Sequence, residues 1–121
     1  MPAWNRAGTG EKVPMMVLTL RMKVRPGNRD ELLQVVRRML EPTRVEQGCL
    51  GFHFYQDIED RNAFTFLEEW ESTDDLESHM CTESFRKLLA VMDLLIEPPK
   101  LHIHTVSHTA GIEFVEEVLE N

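Results

Sequence analysis

Much of what would narrow this chain's function is missing from it. No apolar run approaches the ~18 to 20 residues that span a bilayer. Only two of the 121 residues are cysteine, Cys49 and Cys81. They stand in different segments without a CxxC spacing, so they read as small buried hydrophobes rather than a redox pair. Positive charge is scarce: 13 Lys and Arg face 21 Asp and Glu, for a net charge of -8. A nucleic-acid surface needs a basic patch and an anionic membrane recruits Lys and Arg clusters, so neither partner is expected. No Gly-rich dinucleotide loop or phosphate cradle is present, and no cofactor is expected. The opening stretch, 1–12, is polar and lacks the apolar core of a signal peptide. It reads as a flexible tail, and the expected location is cytoplasmic.

What is there suits one small domain. A hydrophobic share of 42% and a charged share of 28% are ordinary for a globular protein. The domain is expected over 13–109, with 110–121 as an extension that is helical or frayed. Val13 to Arg25 is apolar in its middle and alternates from Thr19 onward, as a strand buried on both faces for part of its length would. Pro26-Gly27 stops it. Leu32, Val35, Val36, Met39 and Leu40 then recur at helical spacing behind Asn28, a candidate N-cap, with Leu33 widening the stripe. Pro42 is expected to kink this helix or to open a second turn to Gln47, and Gly48 to end it.

Leu50 to Asp57 and Ala63 to Glu71 form a predicted hairpin of strands. Ser72 to Asp75 caps a short helix through Cys81. Thr82 or Ser84 caps the next, predicted from about Glu83 to Ile96 and burying Phe85, Leu88, Leu89, Met92 and Leu95. Leu101 to Val106 is a fourth strand. The order is β-α-β-β-α-β, and right-handed crossovers then give strand order 4-1-3-2, an α+β ferredoxin-like fold with an antiparallel sheet. One face of that sheet carries helices. The other bears Tyr55 and Leu67, so something must cover it, and a second copy in a homodimer is the economical answer.

Three stretches resemble the antibiotic biosynthesis monooxygenase family: Gly48-Cys49-Leu50-Gly51-Phe52, Glu68-Glu69-Trp70-Glu71-Ser72, and His79 through Phe85. The likeness runs from about Met15 to Ser107 and is greatest toward the quinol-monooxygenase-like branch. Gln47, Phe52 and Ser84 depart from the family pattern, which has Glu, Tyr and His there. The resemblance implies a dimeric α+β barrel with a pocket between sheet and helices in each subunit. It also implies cofactor-independent oxidation of a quinol or polyphenol with O2, among several family chemistries. Heme degradation is not expected: Trp70 is present, but Thr19 or Leu20 stands where that branch has Asn, and the helix after Glu83 has no His.

Candidate chemistry rests on few side chains. His79 and His53 are the candidate bases, since an imidazole titrates near neutrality. Trp70, Tyr55 and Phe85 are the candidate substrate-binding residues for a small apolar or phenolic ligand, Tyr55 as a donor to an oxyanion. Each has a plainer reading: Trp70 and His79 fix helix against sheet, and His53 and Tyr55 sit in a dimer seam. Glu68 and Glu69 face opposite ways on one strand and are no carboxylate pair. His102 and His104 share a strand face, but with no third ligand beside them no metal site is assigned. The alternative to an enzyme is a ligand-binding or sensing dimer of the same fold.

Overall fold

A computed structural model describes residues 14–120. The stretch expected as an N-terminal tail, 1–12, lies outside the described residues. Strands β1 (Met15–Lys23), β2 (Cys49–Gln56), β3 (Ala63–Trp70) and β4 (Lys100–Val106) form one sheet in the order β2-β3-β1-β4. Each neighbouring pair in this order is antiparallel. Helices α1 (Arg29–Arg44), α2 (Thr73–Met80), α3 (Glu83–Ala90) and α4 (Ile112–Glu120) complete the chain. This is the α+β ferredoxin-like arrangement that the alternation of strand and helix signals predicts.

Period two along β1 and β3 builds the core. Met16, Leu18, Leu20 and Met22 of β1 are buried, as are Phe64, Phe66, Glu68 and Trp70 of β3. Leu32, Val36 and Met39 of α1 pack onto them with Leu76 of α2 and Leu88 of α3. Each fully buried aliphatic or aromatic side chain contributes ~1.5 to 3 kcal/mol. The opposite face carries His53, Tyr55, Leu67 and Glu69, which are exposed or half-buried. Side chains directly opposite in an antiparallel ladder share a face. Phe52, Glu68, Leu18 and Ile103 therefore form one row across all four strands, on the helix side. At the β4 end the helix side is bare: Ile103 of that row and Leu101 of the next, opposite Leu20, are each 44% exposed.

Three local expectations are corrected. Pro42 does not divide α1, which runs through it to Arg44. β3 stops at Trp70, one residue short of the predicted Glu71. The helix predicted as far as Ile96 ends at Ala90 and tightens into a 3-10 turn, Val91–Leu94. Backbone pairing explains that end. Ile96 N–H donates to Lys23 O at 2.9 Å, Arg25 N–H donates to Leu94 O at 3.1 Å, and Leu95 bridges Val24. The buried stripe follows Phe85, Leu88 and Val91, a spacing of three, so Leu89 is turned outward.

No side chain of α4 is buried, and its apolar residues Ile112, Phe114, Val118 and Leu119 are all exposed. No helix among the described residues is long and apolar enough to cross a membrane.

Candidate functional site

The site is assembled where α1 ends, β3 ends and α2 ends. Gly48 joins α1 to β2 with φ +81°, a left-handed backbone that suits glycine, and a Cβ there would run into the side chain of Asp75. This close approach lays the α1–β2 connection, with Glu46 in it, against α2. Ser72 caps α2 by accepting from Asp75 N–H at 3.2 Å. Thr82 caps α3 by accepting from Phe85 N–H at 3.2 Å, and its hydroxyl donates to His79 O at 2.7 Å. His79 is thereby held at the last turn of α2, pointing into the core.

His79 is wholly buried, and aromatic rings enclose it. Trp70 stacks on it with ring centroids 4.7 Å apart, while Phe85 at 5.4 Å and Phe52 at 5.7 Å meet it edge-on. The two ring nitrogens face carboxylates on different elements. Nδ1 lies 3.2 Å from both oxygens of Glu46, whose side chain is 23% exposed. A ring nitrogen between carboxylate oxygens carries the proton, so Nδ1–H donates to Glu46 and Nε2 is left as the acceptor. Nε2 lies 3.5 Å from Glu68 Oε1, beyond a good hydrogen bond. Trp70 Nε1–H donates to that same oxygen at 3.0 Å. Glu68 Oε2 and His79 Nε2 are both buried without a hydrogen-bond partner.

Two buried titratable groups thus meet in an apolar shell. Burial pushes the Glu68 carboxyl up to about 7; the hydrogen bond from Trp70 opposes the rise and the charge of Glu46 adds to it. Burial pushes the His79 imidazole down, against the charge and hydrogen bond of Glu46. Near neutral pH His79 is therefore uncharged and can accept a proton, while Glu68 can either hold or release one. Outside His79 lies an acidic cleft of about 380 Å3, lined by Glu46, Gln47, Asp74, Asp75, Ser78 and Thr82.

The structure brings together His79, Trp70 and Phe85 of the candidate residues. It does not bring His53 and Tyr55 to them. Their rings lie 6.1 Å from each other on the open sheet face, and both side chains are exposed. Glu46 was not singled out in the sequence, and nothing local marks it, because it lies 33 residues before its partner. Glu68 carried a signal: a lone carboxylate in the inward register of Phe64, Phe66 and Trp70. Among the described residues no group of three or more His, Cys, Asp or Glu is placed to hold a metal ion.

Known proteins share this fold. The family model described as antibiotic biosynthesis monooxygenase matches residues 15–91. "Uncharacterized protein sll1783" of Synechocystis is 30% identical over 95 residues, 78% of this chain and 65% of its own length. The chain thus spans just under two thirds of that relative. "Putative monooxygenase YcnE" of Bacillus subtilis is 27% identical over 85 residues, 70% of this chain and 90% of its own length. Among solved structures, PA3566 of Pseudomonas aeruginosa superimposes with a TM-score of 0.72 at 27% identity, covering 84% of this chain and 100% of that one. The family match runs through Glu46, Glu68, Trp70, His79 and Phe85, the residues that build the buried His79 site. The chain belongs to the antibiotic biosynthesis monooxygenase family.

Proposed function

We propose that the protein is a cofactor-independent monooxygenase that oxidises a quinol or polyphenol with O2. The observation that carries this reading is an uncharged, buried imidazole whose Nδ1–H is held by Glu46 and whose Nε2 has no hydrogen-bond partner. Oxygen reacts with an electron-rich phenolate far more readily than with the phenol, so the enzyme's main task is to take the hydroxyl proton. His79 is the base that draws that proton from the substrate side. The carboxylate behind the ring fixes the tautomer and stabilises the imidazolium that forms, as a general base requires. The substrate supplies the electrons: one oxygen atom enters it, replacing two hydrogens, and the other leaves as water.

Trp70 and Phe85 shape the apolar wall around the imidazole. The bare helix-side flank of β4, Leu101 and Ile103, is a natural approach for an aromatic ring. Ile103 lies in the same cross-strand row as Glu68, with only Leu18 of β1 between them. Two strand spacings are roughly 10 Å, the reach of a two-ring substrate. His53 and Tyr55 are assigned to the open sheet face, which pairs with a second copy in a homodimer. Leu67→Asp on that face is expected to give a monomer in analytical ultracentrifugation.

Oxygen uptake over a panel of quinols and polyphenols tests the reading. Uptake that falls about a hundredfold in His79→Asn is the expected result, and no uptake with any member of the panel would overturn it. A second reading, a ligand-binding or sensing dimer, is favoured by one observation: aromatic side chains already fill the space around His79. It predicts ligand binding without oxygen uptake.

A further inference from the structure

From the alignment of Glu68, His79 and Glu46 across the helix–sheet interior, we infer that the three form a proton path, with Glu68 as the group that meets the substrate hydroxyl and Glu46 as the outlet to water. The inference rests on the oxygenase reading for the identity of the substrate, and on geometry for the path itself. The three groups come from β3, α2 and the α1–β2 connection, and they step outward from a fully buried carboxyl, through a fully buried imidazole, to a partly exposed carboxylate. The separations are 3.5 Å and 3.2 Å. Glu46 lines the acidic cleft, so a proton arriving there meets solvent.

Two features single out a path rather than a structural contact. Native interiors rarely leave buried polar side-chain atoms unpaired. Of the four such atoms among the described residues, the others being Arg29 Nε and Thr43 Oγ1, two, Glu68 Oε2 and His79 Nε2, belong to consecutive members of the same chain of groups. Glu68 Oε1 is occupied by Trp70 Nε1–H, which leaves Oε2 as the oxygen with capacity for a substrate hydroxyl. The ring between the carboxylates has a nitrogen at each end, so a proton taken up at Nε2 is matched by one released at Nδ1.

The transfer balances. The substrate O–H bond breaks, its proton bonds to the Glu68 carboxylate, and the electron pair remains on the phenolate. Glu68 passes a proton to His79 Nε2, while Nδ1 releases its own to Glu46 and from there to water. The groups return to their starting charges after each turnover, with the imidazole proton moved from Nδ1 to Nε2, and a ring flip restores the starting tautomer. Other titratable groups around the path are Cys49, whose thiol burial pushes up, and Asp74 and Asp75 at the cleft, with Arg44 beside Cys49 and donating to Phe52 O at 3.1 Å.

Trp70 reports on the path directly, since it stacks on His79 and donates to Glu68. The test is a pH titration of its fluorescence in the full chain carrying Trp4→Phe, which removes the other tryptophan, with oxygen uptake measured alongside. A single step near neutral pH is expected. It should disappear in Glu68→Gln and move to lower pH in Glu46→Gln, which loses the charge that holds the proton on Glu68. In turnover, Glu46→Gln should lower kcat at unchanged KM, and added acetate, which can enter the cleft and accept the proton, should restore it. Glu46 is partly exposed, so this variant carries the test if Glu68→Gln does not fold. A step that Glu46→Gln fails to move, or a kcat that acetate fails to restore, overturns the path and leaves the oxygenase reading intact. A titration as expected with no uptake on any quinol leaves the path standing and removes the oxygenase reading.

Discussion

Glu68 and Glu69 are neighbours of the same residue type with opposite fates. Glu68 points to the helix side, is wholly buried, accepts from Trp70 and has its carboxyl pushed up to about 7. Glu69 points to the open face, opposite Val17 of β1 and close to Gly51 of β2, and stays half-exposed. The pleat alone separates them, because successive strand residues face opposite ways. The same division runs through the whole sheet. The helix side holds the aromatic rings and one isolated carboxyl–imidazole pair. The open side holds His53, Tyr55, His102 and His104, all exposed. A titratable group in water is ordinary, whereas one sealed among Phe and Trp is costly to charge, which is why the two faces differ in chemistry more than in composition.

Removing the helix-side aromatic platform should break that contrast most strongly. Trp70→Ala deletes a fully buried indole and the donor to Glu68, and is expected to lose about 3 to 5 kcal/mol in urea unfolding. Glu68→Gln should come next, and its effect should depend on pH. A carboxyl raised from 4.5 in the unfolded chain to about 7 in the folded one favours the protonated fold. Its stabilising protonation is complete below pH 4.5 and is lost as pH rises through 7, at a cost of about 3 kcal/mol. Glu68→Gln should therefore match the parent near pH 4 and exceed its stability at pH 8. His79 acts with the opposite sign: its lowered folded value means stability lost as pH falls below its unfolded value of 6.5. Only the difference between variant and parent isolates Glu68, so denaturant titrations of both across pH 4 to 8 are the measurement.

Smaller effects sharpen the comparison. Thr82→Ala removes the α3 cap and the hydroxyl bond to His79 O, and should cost about 1 kcal/mol with a shift in the His79 ring signals by NMR. His53→Ala on the open face should change the stability of the isolated subunit by less than about 0.5 kcal/mol in the same unfolding assay. A loss as large as that of a buried helix-side residue would mean that the two faces are not energetically distinct.

The sheet order was legible because strand and helix patterns here are local and strong. Alternation along β3, the caps Ser72 and Thr82, and the glycine at 48 each act within a few residues of themselves. Pairings decided later in the chain were not legible. The end of α3 depends on Leu94 and Ile96 finding the backbone beside Lys23, more than 70 residues away in sequence. That long-range pairing ended a pattern that would otherwise continue as helix. The candidate site divided in the same way. Trp70, His79 and Phe85 sit on segments whose inward register can be read from spacing, and they meet. His53 and Tyr55 have an equally clear register, and it turns them to the other face.

By itself, then, the sequence determined the element order, the inward register of β1 and β3, and the presence of a carboxylate among aromatic positions, since each follows from periodicity and local capping. The tertiary structure alone decided that this carboxylate meets His79, that Glu46 closes the other side of the ring, and that β4 leaves Ile103 bare at the end of the same row. Those relations join residues from separate elements, and only the packing of α1 and α2 on the sheet sets the His79 ring between the carboxyl groups of Glu46, at 3.2 Å, and Glu68, at 3.5 Å.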